Sequence, residues 1–253
     1  MSKICLIDAD GLLFLSLPRK EETNKTVEDC VKELKQRIKN ICEVNNTDKY
    51  ILFFTSSSNF RKRQWKYSKD YKGKRKNVKV SPIFKYLHEY SLQQLNAFLF
   101  HGLEADDLVS YFKNKIQDSV ICSPDKDVLY QNEGIHYNYK TGEFISVDKE
   151  YSEEFIYKQL GQGDAGDDVA GIEGVGSKTI DKWFKNKKNL TYAQILIKAY
   201  IEKYGLHEGV NRFYESFSMI YLLRTDQDML RELGTVPDEP IINILENEGE
   251  SIY

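Results

Sequence analysis

The chain has 253 residues, 36 Lys+Arg against 39 Asp+Glu, a formal net charge of -3, and 41% apolar residues, with aromatics at 13%. A chain this long buries roughly 70–75% of its unfolded surface, so neither disulfides nor a structural metal are needed to hold it. With 30% charged residues and no apolar run near the ~18 residues of a membrane span, integral membrane classes are excluded. The opening MSKICLIDADG meets two acids where a cleavable leader stays apolar, so it does not read as a signal peptide. Cys5, Cys30, Cys42 and Cys122 form no C-x-x-C pair and read as free thiols of a reducing cytoplasm.

Residues 3–7 are a short apolar run ending in Asp8, the pattern of a buried strand with a carboxylate at its C-terminal end. Thr26, with Asp29 three residues on, caps a helix carried by Val27, Val31, Leu34, Ile38 and Ile41. Strands are predicted at 50–55 and 98–100, a helix at 104–116 through Ala105, Leu108, Val109, Phe112 and Ile116, and a further strand at 119–122. This alternation predicts an α/β fold: an open, mostly parallel sheet with helices on both faces, whose ligands gather beyond the carboxyl ends of the strands. Beyond residue 151 the chain reads as helices at 151–160, 177–185, 191–204 and 210–223, followed by an aperiodic tail from 226.

The net charge hides a strong segregation. Residues 61–79 hold ten basic residues and one acid, Asp70, whereas residues 226–253 hold eight carboxylates and one Arg. The other acids recur in four motifs: Asp8 and Asp10; Glu104, Asp106 and Asp107; Asp125 and Asp127; and Asp164, Asp167 and Asp168 in a glycine-rich turn. Most lie at predicted strand or helix ends. Carboxylates gathered at one sheet edge must take up protons or bind cations. Oxygen donors without nearby His or Cys select Mg2+ or Mn2+ over zinc, and two such ions ~4 Å apart are the usual apparatus of phosphodiester hydrolysis. His88, His101, His136 and His207 are scattered and read as surface or packing residues.

Trp65, Tyr67 and Tyr71 are interleaved with the cations of 61–79. Cations neutralise phosphates and rings stack on unpaired bases, which together suit a single strand. The run Gly171, Gly174, Gly176, Ser177, Lys178, Thr179 entering a helix offers backbone N–H groups and a helix N-terminus to an anion. It lacks Walker A spacing and reads as a helix-turn-helix variant that grips a duplex backbone.

The pieces IDADGLLF, FTSSSNFRK, YKGKRK, GLEADDLVS, SPDKDVLYQ and GDAGDDVAGIEGVGSKT, in that order over most of residues 4–183, resemble the 5' nucleases of the flap endonuclease superfamily, most of all the short phage-encoded 5'-3' exonucleases. The resemblance implies a PIN/flap-endonuclease-like twisted sheet: an α/β nuclease core over 1–150, a basic helical arch at about 60–80, and a helical duplex-binding region over 151–253 with an acidic tail. It implies metal ligands at Asp8, Glu104, Asp106, Asp107, Asp125, Asp127, Asp164 and Asp167 for two Mg2+ or Mn2+ ions, with Asp10 behind them. Asp8, Asp125 and Lys72 are the expected catalytic residues. DNA binding is implied at Arg61, Lys62, Arg63, Trp65, Lys66, Tyr71, Lys72, Lys74, Arg75 and Lys76, with Tyr71 able to stack on a base and Lys72 at the scissile phosphate. Gly174, Gly176, Ser177, Lys178 and Thr179 match the helix-three-turn-helix element that holds duplex DNA and, in relatives, a K+ ion. The expected substrate is DNA with a 5' flap or 5' end, extending to RNA–DNA, cut by a monomer that works with replication proteins in the cytoplasm of a bacterial host, away from membranes.

One departure is plain: Ser56 stands where relatives carry an aspartate after the second strand. Asp168 stands where relatives often have Asn. Two other readings use the same residues. Asp8-Ala-Asp10-Gly11 resembles the nucleophile motif of haloacid-dehalogenase-like phosphatases, with Asp8 phosphorylated, and Ser56 suits a noncatalytic DNA-binding relative. The first leaves the basic aromatic segment and the glycine turn unexplained.

Overall fold

The computed structural model describes residues 3–22, 24–68, 70–73 and 80–237. Lys74, Arg75 and Lys76 of the basic segment, and the acidic tail beyond 237, lie outside the described residues. In chain order the elements begin with β1 (Ile4–Asp8), α1 (Asp10–Ser16), α2 (Val27–Val44), β2 (Lys49–Phe54), a 3-10 turn at Phe60–Lys62, α3 (Pro82–Gln94) and β3 (Ala97–Leu99). Next come α4 (Ala105–Lys115), β4 (Ser119–Cys122), α5 (Lys126–Tyr130), β5 (Gly134–Asn138) and β6 (Glu143–Val147). The remainder is α6 (Lys149–Gln162), β7 (Gly163–Asp164), β8 (Val169–Ala170), α7 (Ser177–Lys185), α8 (Tyr192–Tyr204), α9 (Leu206–Ile220) and α10 (Asp226–Leu233). None of the described helices is long and apolar enough to cross a membrane. Two compact units result: Met1–Asn59 with Lys79–Val147 and Leu222–Tyr253, and Phe60–Val78 with Asp148–Tyr221.

The first unit is a six-stranded sheet in the order β3-β2-β1-β4-β5-β6, parallel except for the β5–β6 hairpin. Strands buried on both faces read as continuous apolar runs, which is why residues 4–7 and 50–54 are legible without alternation. Cys5, Ile7, Leu52 and Phe54 face a core built with α1, α2 and α3. Phe53, one residue out of phase and so on the opposite face, stacks on Phe112 of α4 at 5.4 Å between centroids. The four cysteines are buried and unbridged. Because β2 and β3 lie to one side of β1 and β4 to the other, the strand order reverses at β1/β4. That switch point is where an open parallel sheet leaves a crevice beyond its carboxyl ends.

The stretch from 226, expected as an aperiodic tail, begins with a capped helix. Thr225 and Asp228 form a reciprocal capping box, and Gly234 (φ 73) ends α10 in the left-handed conformation. Asp226 accepts the Tyr111 hydroxyl at 2.6 Å and pairs with Lys115 at 2.7 Å, docking this end on α4. Eight residues are too few for helical periodicity to stand out.

The second unit packs α6 to α9 around Ile156, Leu160, Ile180, Phe184, Leu196, Tyr200 and Phe213. Its β7–β8 turn depends on two crossing glycines. A Cβ on Gly163 (φ 78) would lie 2.4 Å from Gly171 N, and one on Gly171 would lie 2.4 Å from Gly161 O, so only glycine lets these backbones pass. Over its described residues, 60–68 and 70–73, the expected arch contains the 3-10 turn and a succession of bends and turns. This segment groups with α6–α9, and residues 222–237 group with the sheet.

Candidate metal centre and nucleic-acid surface

At the switch point one hydroxyl joins two acidic motifs. Ser123 Oγ donates to Asp8 Oδ2 at 2.8 Å and accepts the Asp125 N–H at 3.0 Å. Asp125 then caps α5, its Oδ1 accepting the Asp127 N–H at 2.8 Å. Burial pushes the Asp8 carboxyl well above the usual carboxylate range, and the charges of Asp10 and Asp125 push it further, against the Ser123 hydrogen bond. Asp10 is raised chiefly by burial, with hydrogen bonds from Thr55 opposing; the Thr55 N–H lies 3.3 Å from its Oδ2. Thr55 also takes the Ala105 N–H on its hydroxyl at 3.0 Å, so one residue after β2 links the Asp10 motif to the start of α4.

Tyr139, which follows β5, escaped the sequence reading. Its hydroxyl donates to the Asp8 carbonyl at 2.9 Å, and a Cβ on Gly11 would come within 2.7 Å of that oxygen. The glycine of D-x-D-G therefore admits a tyrosine from across the sheet. Burial and the neighbouring acids Asp8 and Asp10 hold the Tyr139 phenol protonated. Ser123 and Thr55 were visible only as members of motifs, because hydroxyl partners are set by tertiary approach.

Glu104 is buried at the N-cap of α4, where it shares a capping box with Asp107, and Asp106 lies half-buried in the first turn. Asp107 is also among the expected metal ligands. It is fully buried, and its Oδ1 accepts the Leu223 N–H at 3.0 Å while Oδ2 faces the Glu104 N–H at 3.4 Å. Ser56 is buried, with its hydroxyl 3.3 Å from Ser58, which in turn reaches His101 at 3.1 Å.

Asp164 and Asp167 belong to the second unit. Asp164 Oδ1 accepts the Gly166 N–H at 2.7 Å. Asp167 Oδ2 accepts the Tyr71 hydroxyl at 3.1 Å and lies 3.7 Å from Lys72 Nζ. Among the described residues no three carboxyl, imidazole or thiol groups converge tightly enough to coordinate one ion by themselves. The donor chemistry still fits a hard divalent ion: Asp8 is buried against other carboxylates, and Mg2+ is typically held by one or two carboxylates with waters and substrate phosphates completing its shell.

The basic segment divides by exposure. Lys62, Arg63 and Lys66 are exposed, with Arg63 stacked on Trp65 at 4.1 Å. Arg61, expected at the nucleic-acid surface, is 0% exposed and donates to the carbonyls of Met219 at 3.0 Å and Tyr221 at 2.9 Å. Tyr71, expected to stack on a base, is 5% exposed and packs in the core of the second unit. An aromatic or arginine in a basic run looks the same in sequence whether it faces solvent or the carbonyls of a helix end. Elsewhere in the first unit, Phe14 on α1 is 55% exposed and lies 4.6 Å from the Phe84 ring, an aromatic platform that the periodicity of residues 10–16 did not reveal.

The glycine turn is open. Nothing lies within 4 Å of a Cβ built on Gly174 (φ +80) or Gly176. Gly176 caps α7 without a side-chain hydrogen bond, and Ser177 and Lys178 are exposed with Thr179 half-buried.

No family model matches the chain. A curated 5'-3' exonuclease of Buchnera aphidicola is 28% identical over 210 residues, covering 74% of this chain and 72% of the relative. The phage T5 D15 flap endonuclease, solved in a complex with DNA and metal ions, superimposes with a TM-score of 0.69 at 16% identity over 96% of each chain. The catalytic core of Rad2, solved with DNA substrate, gives 0.53 at 14% identity over 97% of this chain and 92% of that one. The chain is thus similar in sequence to a 5'-3' exonuclease and shares the fold of the flap endonuclease and the Rad2 catalytic core.

Proposed function

We propose that this chain is a divalent-metal-dependent 5'-3' deoxyribonuclease that hydrolyses phosphodiesters near the junction of single- and double-stranded DNA and leaves 5'-phosphorylated products. The observation that carries the reading is the Ser123 bridge between Asp8 and Asp125 at the sheet's switch point, in a chain that also carries a strongly basic, aromatic-bearing segment.

Asp8, Glu104, Asp106, Asp125 and Asp127 would hold Mg2+ or Mn2+. When bound, two such ions supply an activated water and neutralise the leaving oxygen. Ser123 and Tyr139 fix Asp8 from its carboxylate and its carbonyl. Lys72 adds positive charge where the phosphorane develops, and the exposed cations Lys62, Arg63 and Lys66 neutralise the single strand's phosphates. Phe14 and Phe84 offer a ring face to an unpaired base. Gly174 to Thr179 hold duplex backbone through N–H groups at a helix N-terminus, with K+ at the turn as a further element of the reading.

The test is incubation with 5'-labelled flap, blunt duplex and single-stranded DNA, with and without Mg2+, beside p-nitrophenyl phosphate. Metal-dependent cleavage at the flap or 5' end supports the reading. Hydrolysis of the monoester alone favours a phosphatase, and DNA binding without cleavage a noncatalytic relative.

A further inference from the structure

The basic segment contains one acid and repels itself, yet residues 60–68 and 70–73 have a described path. What holds residues 66–68 is a carboxylate on another element. Glu215 of α9 accepts the Lys66 N–H on Oε1 at 3.0 Å, the Tyr67 N–H on Oε2 at 2.9 Å and the Ser68 hydroxyl on Oε2 at 3.2 Å. Two consecutive backbone amides and a hydroxyl converging on one carboxylate are charge-assisted bonds of the stronger kind. Arg212, on the same face of α9 three residues earlier, lies over the Tyr67 ring at 4.9 Å and the Tyr204 ring at 4.5 Å, and pairs with Glu208 at 2.7 Å.

We infer that Glu215 is a positioning residue for single-strand engagement: by fixing the backbone of 66–68 it sets where the cations of the basic segment stand. The inference rests on the reading of that segment as a single-strand surface. It has an unusual sign. A carboxylate beside a phosphate-binding segment opposes nucleic acid by charge, so its neutralisation by electrostatics alone tightens binding and steepens the salt dependence. The positioning role predicts the reverse. In Glu215→Gln one carboxylate oxygen becomes an NH2 facing an N–H or hydroxyl donor, so the bidentate grip cannot form.

The experiment compares the full-length wild type, Glu215→Gln and Ser68→Ala, the last removing one of the three donors without changing charge. Three quantities are read: affinity for 5'-labelled single-stranded DNA in Ca2+, affinity for blunt duplex, and the rate of tryptic cleavage within 61–72, where Lys and Arg supply the cut sites. For Glu215→Gln the expected result is a roughly tenfold loss of single-strand affinity, duplex affinity within about twofold of wild type, and several-fold faster tryptic cleavage. Ser68→Ala moves the single-strand and proteolysis readings the same way by about two- to threefold. Tighter or unchanged single-strand binding by Glu215→Gln overturns the inference, as does equal loss of single-strand and duplex affinity with a lowered melting temperature. If wild type binds no single strand and cuts no 5' end, the functional reading fails and takes the inference with it. A wild type that does both beside an unimpaired Glu215→Gln refutes the inference alone.

Discussion

Tyr71 and Asp167 are joined by a 3.1 Å hydrogen bond, and the tyrosine, 5% exposed, packs in the core of the second unit. Lys72, the next residue, has φ 52 and donates its N–H to the Asp167 carbonyl at 3.0 Å, so the glycine-rich acidic turn holds Tyr71 and Lys72 of the YKG motif. Tyr71→Phe should therefore cost stability, about 1 kcal/mol by denaturant titration, while single-strand affinity stays within about twofold. A large selective loss of affinity would mean that the ring leaves the core to stack on a base.

Lys72 is expected to act on the transition state rather than on binding. Lys72→Ala should lower kcat by on the order of a hundredfold with a much smaller change in KM, as single-turnover kinetics on a 5'-flap substrate would report.

Asp125→Ala should abolish metal-dependent cleavage, a loss on the order of a thousandfold or more, and leave duplex affinity largely intact. Because Asp125 also caps α5, its removal carries a stability cost of about 1 kcal/mol, so activity is to be compared well below the variant's melting temperature. Normal cleavage by this variant would remove Asp125 from the metal site.

Gly11→Ala places a methyl group 2.7 Å from the Tyr139 hydroxyl. Tyr139 must move, giving up its bond to the Asp8 carbonyl, at a cost on the order of 1–3 kcal/mol. Thermal shift with added Mg2+ should show a smaller metal-induced rise than in wild type, because Asp8 loses one of its two fixings. Tyr139→Phe should reproduce the weaker metal response at less cost in stability.

Acid sensitivity has a source away from the site. His136 is fully buried, its Nε2 donates to the Asn132 carbonyl at 2.8 Å, and its Nδ1 has no hydrogen-bond partner. Burial, reinforced by Lys113 and opposed by the Asn132 bond, lowers its pKa from 6.5 to about 4. The unfolded chain therefore binds a proton that the folded chain refuses. The stability contribution is complete above pH 6.5 and is lost progressively as pH falls towards 4, to a total of about 3 kcal/mol. Urea unfolding of wild type and His136→Phe should show the wild type losing more stability across that window, and parallel pH profiles would overturn the assignment.

The sequence by itself determined the α/β alternation, the capping box of Thr26 and Asp29, the bounds of α7, and the acidic motifs after β1 and β4. These are local properties: an apolar run, a period or a cap is written within a few residues. It also carried the resemblance to the 5' nucleases, because six short motifs in one order are specific even though each alone is weak. Only the tertiary structure decided which members of those motifs face solvent. Arg61 and Lys62 are adjacent in one basic run, yet Arg61 is buried against two carbonyls and Lys62 is exposed. Asp106 and Asp107 are adjacent acids, yet Asp107 is fully buried on backbone N–H groups. Glu215 lies about 150 residues from the amides it binds, so nothing near it in the chain announced its role. Charge patterns survive in one dimension, whereas desolvation and hydrogen-bond pairing depend on which distant segment packs alongside.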